Sequence, residues 1–460
     1  MKSVTLSLLQ SAANAFDFGG PVLCDAHHYG EGHINDTFCV YVQTPQGDAR
    51  RFILQRINTG TFRDPKGLME NIVGVTDYLR DVIAQNGGDP AREAMTVLRT
   101  RMGGTFFAGS EGGAWRAYPF IEGTVCLQSV QAPAQFYESA RAFGRFQQLL
   151  AGYPAATLHE TIEKFHDTRQ RFANFETALA ADACGRAKEV QAEVEFAMAR
   201  KADCAYLMDL LEQGKLPLRV THNDTKLNNV LLDKATGKGI CVIDLDTVMP
   251  GLALNDFGDS IRFGANHSAE DEPDLSKVNF DISLYEIYAK GFLETAGSAL
   301  TPLEKQCLPW GAKLMTLECG IRFLTDYLEG DTYFKIHRDG QNLDRCRTQF
   351  KLVRDMEARW DEMAAVVKKY SWAVLHKTKA RTHRSVRAFL FSSSRPGRFV
   401  TRSHTPYPPA GPAHGRAPRA WRRRTGPSIP PRGHSERPNA AKRRCSPHKC
   451  PSPRRRSQCC

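Results

Sequence analysis

Several absences narrow the reading before any motif is considered. No apolar run approaches twenty residues, so no membrane span is expected. The opening stretch MKSVTLSLLQSAANAF holds one lysine and a short apolar run broken by serine, too little for a secretory signal. Nine of the 13 cysteines precede Leu375, among them Cys24, Cys126, Cys241 and Cys319, and they form no C-x-x-C pair. Neither a zinc site nor a disulfide framework is expected, and reduced thiols fit a cytoplasmic protein. Acids are almost missing from the C-terminal segment, where 22 lysines and arginines from Lys377 onward face the single acid Glu436.

That segment distorts the formal net charge of +12, because the rest of the chain holds 40 basic and 49 acidic residues, an ordinary balance for a soluble enzyme. Beyond Leu375 the chain also takes 13 of the 25 prolines and four of the 13 cysteines. It cannot bury a core there, so 376–460 is expected to be a disordered basic tail. Its mixture of Arg, Pro, Ser, His and Cys matches a GC-rich gene translated out of frame. That reading is preferred to nonspecific attachment to nucleic acid or an acidic membrane. No membrane and no specific nucleic-acid partner are expected.

What the chain does have is concentrated between Val220 and Gly251, VTHNDTKLNNVLLDKATGKGICVIDLDTVMPG. His222, Asp224 and Asn229 make the pattern H-x-D-x-x-x-x-N, followed at once by the apolar run Val230, Leu231, Leu232. A second apolar strand, Ile240 to Ile243, delivers Asp244 and Asp246, and Gly237 and Gly239 suit a turn between paired strands. The acids are thereby brought side by side. Phosphoryl transfer asks the protein mainly to position an acceptor hydroxyl in line and to neutralise phosphate charge with metal. Asp224 suits the hydroxyl. Asn229 is a neutral oxygen donor for Mg²⁺, Asp244 an anionic ligand, and Asp246 a second ligand or helper. Taken singly, each residue is as easily a turn cap or a strand end; the ordered set is what points to chemistry.

THNDTKLNN followed by VIDLDTVMPG resembles the aminoglycoside phosphotransferase and choline kinase superfamily, and most closely its N-acetylhexosamine 1-kinase branch. YGEGHINDTF (Tyr29 to Phe38), FILQRINTGTF (Phe52 to Phe62) and GIRFLTDYLEGDTYF (Gly320 to Phe334) carry the narrower match, and the whole spans Phe16 to Trp372. The resemblance implies an α+β, bilobal protein-kinase-like fold. A small antiparallel-sheet N-lobe would occupy 1–122 and a large, mostly helical C-lobe 123–375. It also implies ATP with Mg²⁺, and a sugar acceptor phosphorylated on its anomeric hydroxyl. Choline, ethanolamine, homoserine or an aminoglycoside is the alternative acceptor, and a catalytically inactive nucleotide-binding protein the alternative role. A cationic acceptor would demand an acidic or aromatic-caged pocket.

Ahead of that centre, Thr37 to Val42 and Arg51 to Ile57 flank Thr44 to Asp48 as a hairpin. Gly30 and Gly32 precede it in a loop able to fold over nucleotide phosphates, although two glycines before a strand also make a plain turn. The second strand ends at Arg56, where the resemblance places a phosphate-binding lysine; a guanidinium suits phosphate and equally suits an exposed strand end. Asp64 to Ile83 shows helical spacing of Leu68, Ile72, Val75 and Leu79, and by the resemblance its Glu70 steadies Arg56. Strands are expected at Met95 to Leu98 and Ala114 to Ile121, around a loop from Arg101 to Gly113. Phe120 and Ile121 lead out of the sheet as a hinge whose backbone groups suit adenine. Helices are expected at Gln135 to Leu150, Thr161 to Phe175, a long one up to Gln213, Leu284 to Thr295, Pro302 to Leu328 and Asn342 to Lys369. Asp256 and Asp259 are expected to hold the metal loop or cap a helix. Arg322 and Asp326, with Glu318 and Tyr327, form a polar stripe that is either an ion-pair network or a sugar-binding wall.

Overall fold

The computed structural model of the chain describes residues 4–23, 27–30, 34–109 and 113–372. Gly32 with Glu31 and His33, Cys24, and the tail over 376–460 lie outside these residues. The described chain is α+β, an antiparallel-sheet region followed by a mostly helical one. Strands β1 (His27–His28), β2 (Asp36–Gln43), β3 (Ala49–Ile57), β4 (Phe107–Gly109) and β5 (Gly113–Pro119) form one antiparallel sheet in the order β1-β2-β3-β5-β4. The hairpin between β2 and β3 falls where the turn residues put it. Gly47 there has φ +91°, which a Cβ would strain.

Alternation along the strands divides the sheet into two faces. Phe52, Leu54, Trp115 and Ala117 join Val40 and Val42 in a cluster with Phe16, Phe18 and helix α1 (Leu6–Asn14). Ile57 and Ala114 point the other way, into the main core with Leu68, Met69 and Ile72 of α2 (Pro65–Gln85). Helix α2 starts where Asp64 accepts the N–H groups of Lys66 and Gly67, with Pro65 in the first turn. The expected strand at Met95 to Leu98 does not form. Only Leu98 N–H reaches across, to Ala117 O at 2.9 Å, and the edge of β5 is paired instead by β4, from within the expected loop.

The remainder comprises α3 (Pro90–Glu93), α4 (Pro133–Leu149), α5 (Thr168–Ala181), α6 (Gln191–Met198), α7 (Lys201–Glu212), α8 (Ala253–Gly264), α9 (Ile282–Ala296), α10 (Pro302–Gln306), α11 (Leu308–Leu328) and α12 (Gln341–Ala358). Small sheets interrupt them: β6 (Thr124–Val125) with β8 (Val230–Asp233) and β9 (Gly239–Val242), and β7 (Arg219–Thr221) with β10 (Met249–Gly251). Four helices differ from expectation, the Asn342 to Lys369 one being interrupted at Arg359, where α12 has ended and a further helical stretch over 360–372 follows. Helix α5 begins at Thr168 rather than Thr161, because Asp167 caps Gln170 N–H and Lys164 turns to φ +49°. The long helix up to Gln213 is two, parted at Ala199 and Arg200. The Pro302 to Leu328 helix is divided at Cys307, where Pro309 lacks the N–H to continue it and instead opens α11.

Helix α8, which carries Asp256 and Asp259, meets α11 backbone to backbone. A Cβ on Gly258 would stand 2.1 Å from Gly311 O, and one on Gly311 2.3 Å from Leu254 O. Gly258→Ala must therefore push two helices apart beneath the acidic loops. It is expected to lower the unfolding free energy by about 1–3 kcal/mol in a denaturant titration; an unchanged midpoint would show that the helices are not closely held.

Candidate active site

The loop from β7 to β8 is built from beneath by α8. Asp256, wholly buried, accepts the N–H groups of His222 (3.0 Å) and Asn223 (2.8 Å) and the Gln147 amide (2.6 Å). Asp259 accepts Thr225 N–H at 2.9 Å, and the Thr225 hydroxyl donates to Asp256 O at 2.6 Å. These bonds hold Asn223 at φ +62°, a left-handed conformation that a non-glycine residue keeps only when its surroundings impose it. Burial pushes the Asp256 carboxyl above the usual range. It acts the same way on Asp259, but Arg262 and Lys226 outweigh it and hold that carboxyl low. The two acids thus brace the loop bearing Asp224, where the sequence suggested the metal loop.

Within the loop, His222 Nε2–H donates to Ile243 O at 2.9 Å and its Nδ1 accepts Asp224 N–H at 3.3 Å. Phe143 meets the His222 ring edge-on at 5.5 Å. Asp224 stays partly exposed at the outer end, with Oδ1 2.8 Å from Lys226 Nζ. Asp224, against the opposing effect of burial, holds Lys226 protonated above its ordinary range. The Asn229 amide donates to Asp224 O at 2.8 Å and lies 3.3 Å from Asp224 Oδ2, leaving its oxygen as the end that a cation would take.

The β8–β9 hairpin delivers Asp244 beside that loop, in a left-handed conformation at φ +61°. Asp244 is reached by solvent, but it sits beside buried Leu245 and Asp246 and protein crowds its other sides. Burial first, then the charges of Asp246 and Asp224, push its carboxyl up to about 6. Asp246 is engaged on both oxygens: Asn35 Nδ2 lies 2.6 Å from Oδ2 and Arg116 Nη1 2.5 Å from Oδ1. The Thr247 hydroxyl donates to His222 O at 2.6 Å and Asn223 Nδ2 to Thr247 O at 2.9 Å, which joins the two loops. Asp224, Asn229, Asp244 and Asp246 are therefore brought together. Among the described residues no three His, Cys, Asp or Glu are grouped to hold a cation by themselves. Asn229 and Asp244 are oxygen donors that would suit a divalent ion, whose charge would offset the carboxylate repulsion that adds to burial in raising Asp244.

The other expected residues are more scattered. Arg56 lies with Asp36, Nε to Oδ2 at 2.8 Å, on the sheet face that carries Trp115 and not on the face toward Asp246. Glu70 bonds His159 Nε2 at 2.8 Å and stands 3.7 Å from Lys66, so the expected pairing of Arg56 with Glu70 is not made. Gly30 has φ +79° with open space around it. At the hinge, Phe120 N–H donates to Arg51 O at 3.1 Å and Ile121 O accepts the Thr124 hydroxyl at 2.7 Å. The Phe120 ring carries the Arg51 guanidinium over its face, 3.8 Å from its centroid, and meets the Tyr29 ring edge-to-face at 5.5 Å.

On α11, Arg322 sits among the rings of Phe165, Tyr333 and Phe334 at 5.6, 5.8 and 5.4 Å. One turn earlier, buried Glu318 bonds His166 Nδ1 and the Thr168 hydroxyl, each at 2.8 Å, and His166 Nε2 lies 3.2 Å from Asn223 O. Glu318, one turn before Arg322, thus reaches the neighbour of Asp224 through His166. Asp326 differs from a sugar-binding role. Both its oxygens are filled by this chain, from Thr332, Tyr333 and Phe334 N–H groups and the Asn342 amide at 2.7–2.9 Å, so it shapes the loop that carries the rings. Sequence reasoning missed Lys226, which stands inside the motif, and Arg116, Gln55 and Asn35. Strand register reveals which way Arg116 and Gln55 face, and Asn35, just before β2, is placed only by its bonds to Asp246 and Asn58 N–H.

An antiparallel sheet, a helical region and two acidic loops brought together are the parts of a kinase-like phosphotransferase that acts on a hydroxyl group. A family model described as the phosphotransferase enzyme family matches residues 26–289, and the chain belongs to that family, in the aminoglycoside phosphotransferase and choline kinase superfamily. Among solved structures, the microcompartment-associated aminopropanol kinase is similar at TM-score 0.53 and 15% identity, over 78% of this chain and 99% of that one. An amicoumacin kinase in complex with AMP-PNP and Ca²⁺ is similar at 0.48 and 14% identity, over 77% and 93%. A spectinomycin phosphotransferase in complex with ADP and spectinomycin is similar at 0.48 and 12%, over 80% and 99%. No helix among the described residues is long and apolar enough to cross a membrane.

Asp256→Asn would turn an amide toward backbone donors already in place. A loss of about 1–3 kcal/mol in stability is expected, together with a fall in kcat larger than any change in the KM for ATP. Steady-state kinetics beside a thermal melt would check both; an unaltered kcat would show that the loop does not need this brace.

Proposed function

We propose that this chain transfers the γ-phosphoryl group of ATP to the anomeric hydroxyl of an N-acetylhexosamine, giving the sugar 1-phosphate. The observation that carries the neutral acceptor is the setting of Arg322. The three rings beside it face a guanidinium rather than an open cage, and no hydrogen bond or salt bridge to a carboxylate is formed by Arg322 among the described residues. Arg171 lies close by, its own pKa pulled down by burial and then by the charge of Arg322. The nearby acid, Glu318, is occupied by His166 and Thr168. Such a wall repels choline or an aminoglycoside and offers donors to the hydroxyl and acetamido oxygens of a sugar.

In this reading Asp224 orients the acceptor hydroxyl and receives its proton as the new P–O bond forms. The bond from the γ-phosphorus to its bridging oxygen breaks, ADP departs, and the proton passes from Asp224 to water. Asn229 and Asp244 would hold Mg²⁺, which neutralises phosphate charge when bound. The loop at Gly30 and Gly32 and the hinge at Phe120 and Ile121 receive the nucleotide, with the lobes dividing after Glu122 and the protein working in the cytoplasm.

The test is phosphate transfer from Mg·ATP to N-acetylglucosamine, N-acetylgalactosamine, glucose, choline, homoserine and kanamycin in parallel. Turnover with the N-acetyl sugars above all others is expected, and preference for choline or kanamycin would overturn the acceptor assignment. Asp224→Asn is expected to lower kcat by at least about a hundredfold while ATP affinity is kept; a variant turning over at the normal rate would remove Asp224 from the mechanism.

A further inference from the structure

A cation that touches the acidic centre stands on β5 and not at the end of β3. Cross-strand partners Gln55 and Arg116 occupy the sheet face opposite to Arg56 and Trp115. Arg116 is only 1% exposed. Its Nε and Nη2 both donate to Gln55 Oε1, at 2.9 and 2.7 Å, and its Nη1 lies 2.5 Å from Asp246 Oδ1. That last contact is not an aligned hydrogen bond, so charge rather than geometry holds it. Burial alone would lower the Arg116 pKa, but Asp246, Tyr118 and Asp244 outweigh it and keep the guanidinium charged. Asn35 completes the grip on the other oxygen of Asp246 and is itself fixed by Asn58 N–H at 2.9 Å.

We propose that Asp246 is not a metal ligand but the joint of a clamp. Arg116, held by Gln55, is the positioning residue through which the N-terminal sheet sets the metal loop. The inference rests on the nucleotide reading above. Asp246 is two residues from Asp244, in a single turn of 3₁₀ helix, so an Asp246 pinned to the sheet also fixes where the Asp244 carboxylate points. From the far side of that turn, Asn71 of α2 bonds Val248 O at 3.0 Å. A buried guanidinium is an expensive way to stabilise a core, since a well-packed apolar group is often as good or better. Its use here follows if the loop must be aimed.

The test is binding of ATP and of adenosine, each titrated across Mg²⁺ concentration, by the full chain and by Arg116→Gln, Asp246→Asn, Arg116→Lys and the double variant. Each single neutral change is expected to raise the Mg²⁺ needed for half-maximal ATP binding about 10–100-fold, with adenosine binding unchanged. Arg116→Lys should recover part of the loss. The double variant should be no worse than either single one, because both act through one contact. It also removes both buried charges, so it is the variant expected to fold if Arg116→Gln, which strands Asp246, does not. Losses that multiply in the double variant would mean that Asp246 meets the metal directly, and the clamp would be overturned. Parallel loss of adenosine binding would reduce Arg116 to a structural part and overturn it as well. Absence of Mg²⁺-dependent ATP binding in the unaltered chain would overturn the kinase reading and the clamp with it.

Discussion

Three carboxylates, those of Asp224, Asp244 and Asp246, are gathered at one centre, where burial first and then the charges of the other two raise the pKa of Asp244, and the rest of the structure is arranged around that gathering. Left alone, like charges crowded together at a protein surface separate or take up protons. Here each is restrained from a different side: Asp224 by Lys226 and Asn229, Asp246 by Arg116 and Asn35, and Asp244 by the backbone turn between them. The restraint is indirect as well, since Asp256 and Asp259 hold the Asp224 loop from α8, and α8 is set by its close approach to α11. A centre that is costly without a cation is one that gains when a cation arrives, which is the behaviour that a phosphoryl-transfer site requires.

The same helix, α11, carries both halves of the proposed specificity. Gly311 near its start receives α8, and Arg322 near its end is the proposed acceptor contact, one turn beyond Glu318, which His166 joins to the residue before Asp224. Asp326 contributes without touching an acceptor, because by gathering three backbone N–H groups it folds Tyr333 and Phe334 back over Arg322. Charge, rather than shape, is thus what separates a sugar from a cationic acceptor in this account.

Much of the fold was legible because its signals are local. The β2–β3 and β8–β9 hairpins follow from apolar runs around glycine turns, α2 and α9 from apolar residues behind an aspartate cap, and α4 from apolar spacing behind Pro133. What failed was length: a break at Ala199 and the second start at Pro309 depend on how helices seat against neighbours, and the pairing of β4 rather than Met95 to Leu98 depends on which segment reaches an open edge. At the site, the spacing of Asp224, Asn229, Asp244 and Asp246 carried the grouping, because loop, strand, turn and strand leave few ways to arrange them. Arg56 and Arg116 were not distinguishable in the same way. Both read as strand arginines, and only register shows that Arg116 faces Asp246 while Arg56 faces Trp115.

The most direct test of the account is phosphorus NMR of the chain incubated with Mg·ATP and N-acetylglucosamine. The account predicts equal growth of ADP and of a phosphomonoester coupled to the anomeric proton of the sugar. Unchanged ATP, or phosphate appearing on another hydroxyl of the sugar, would contradict it.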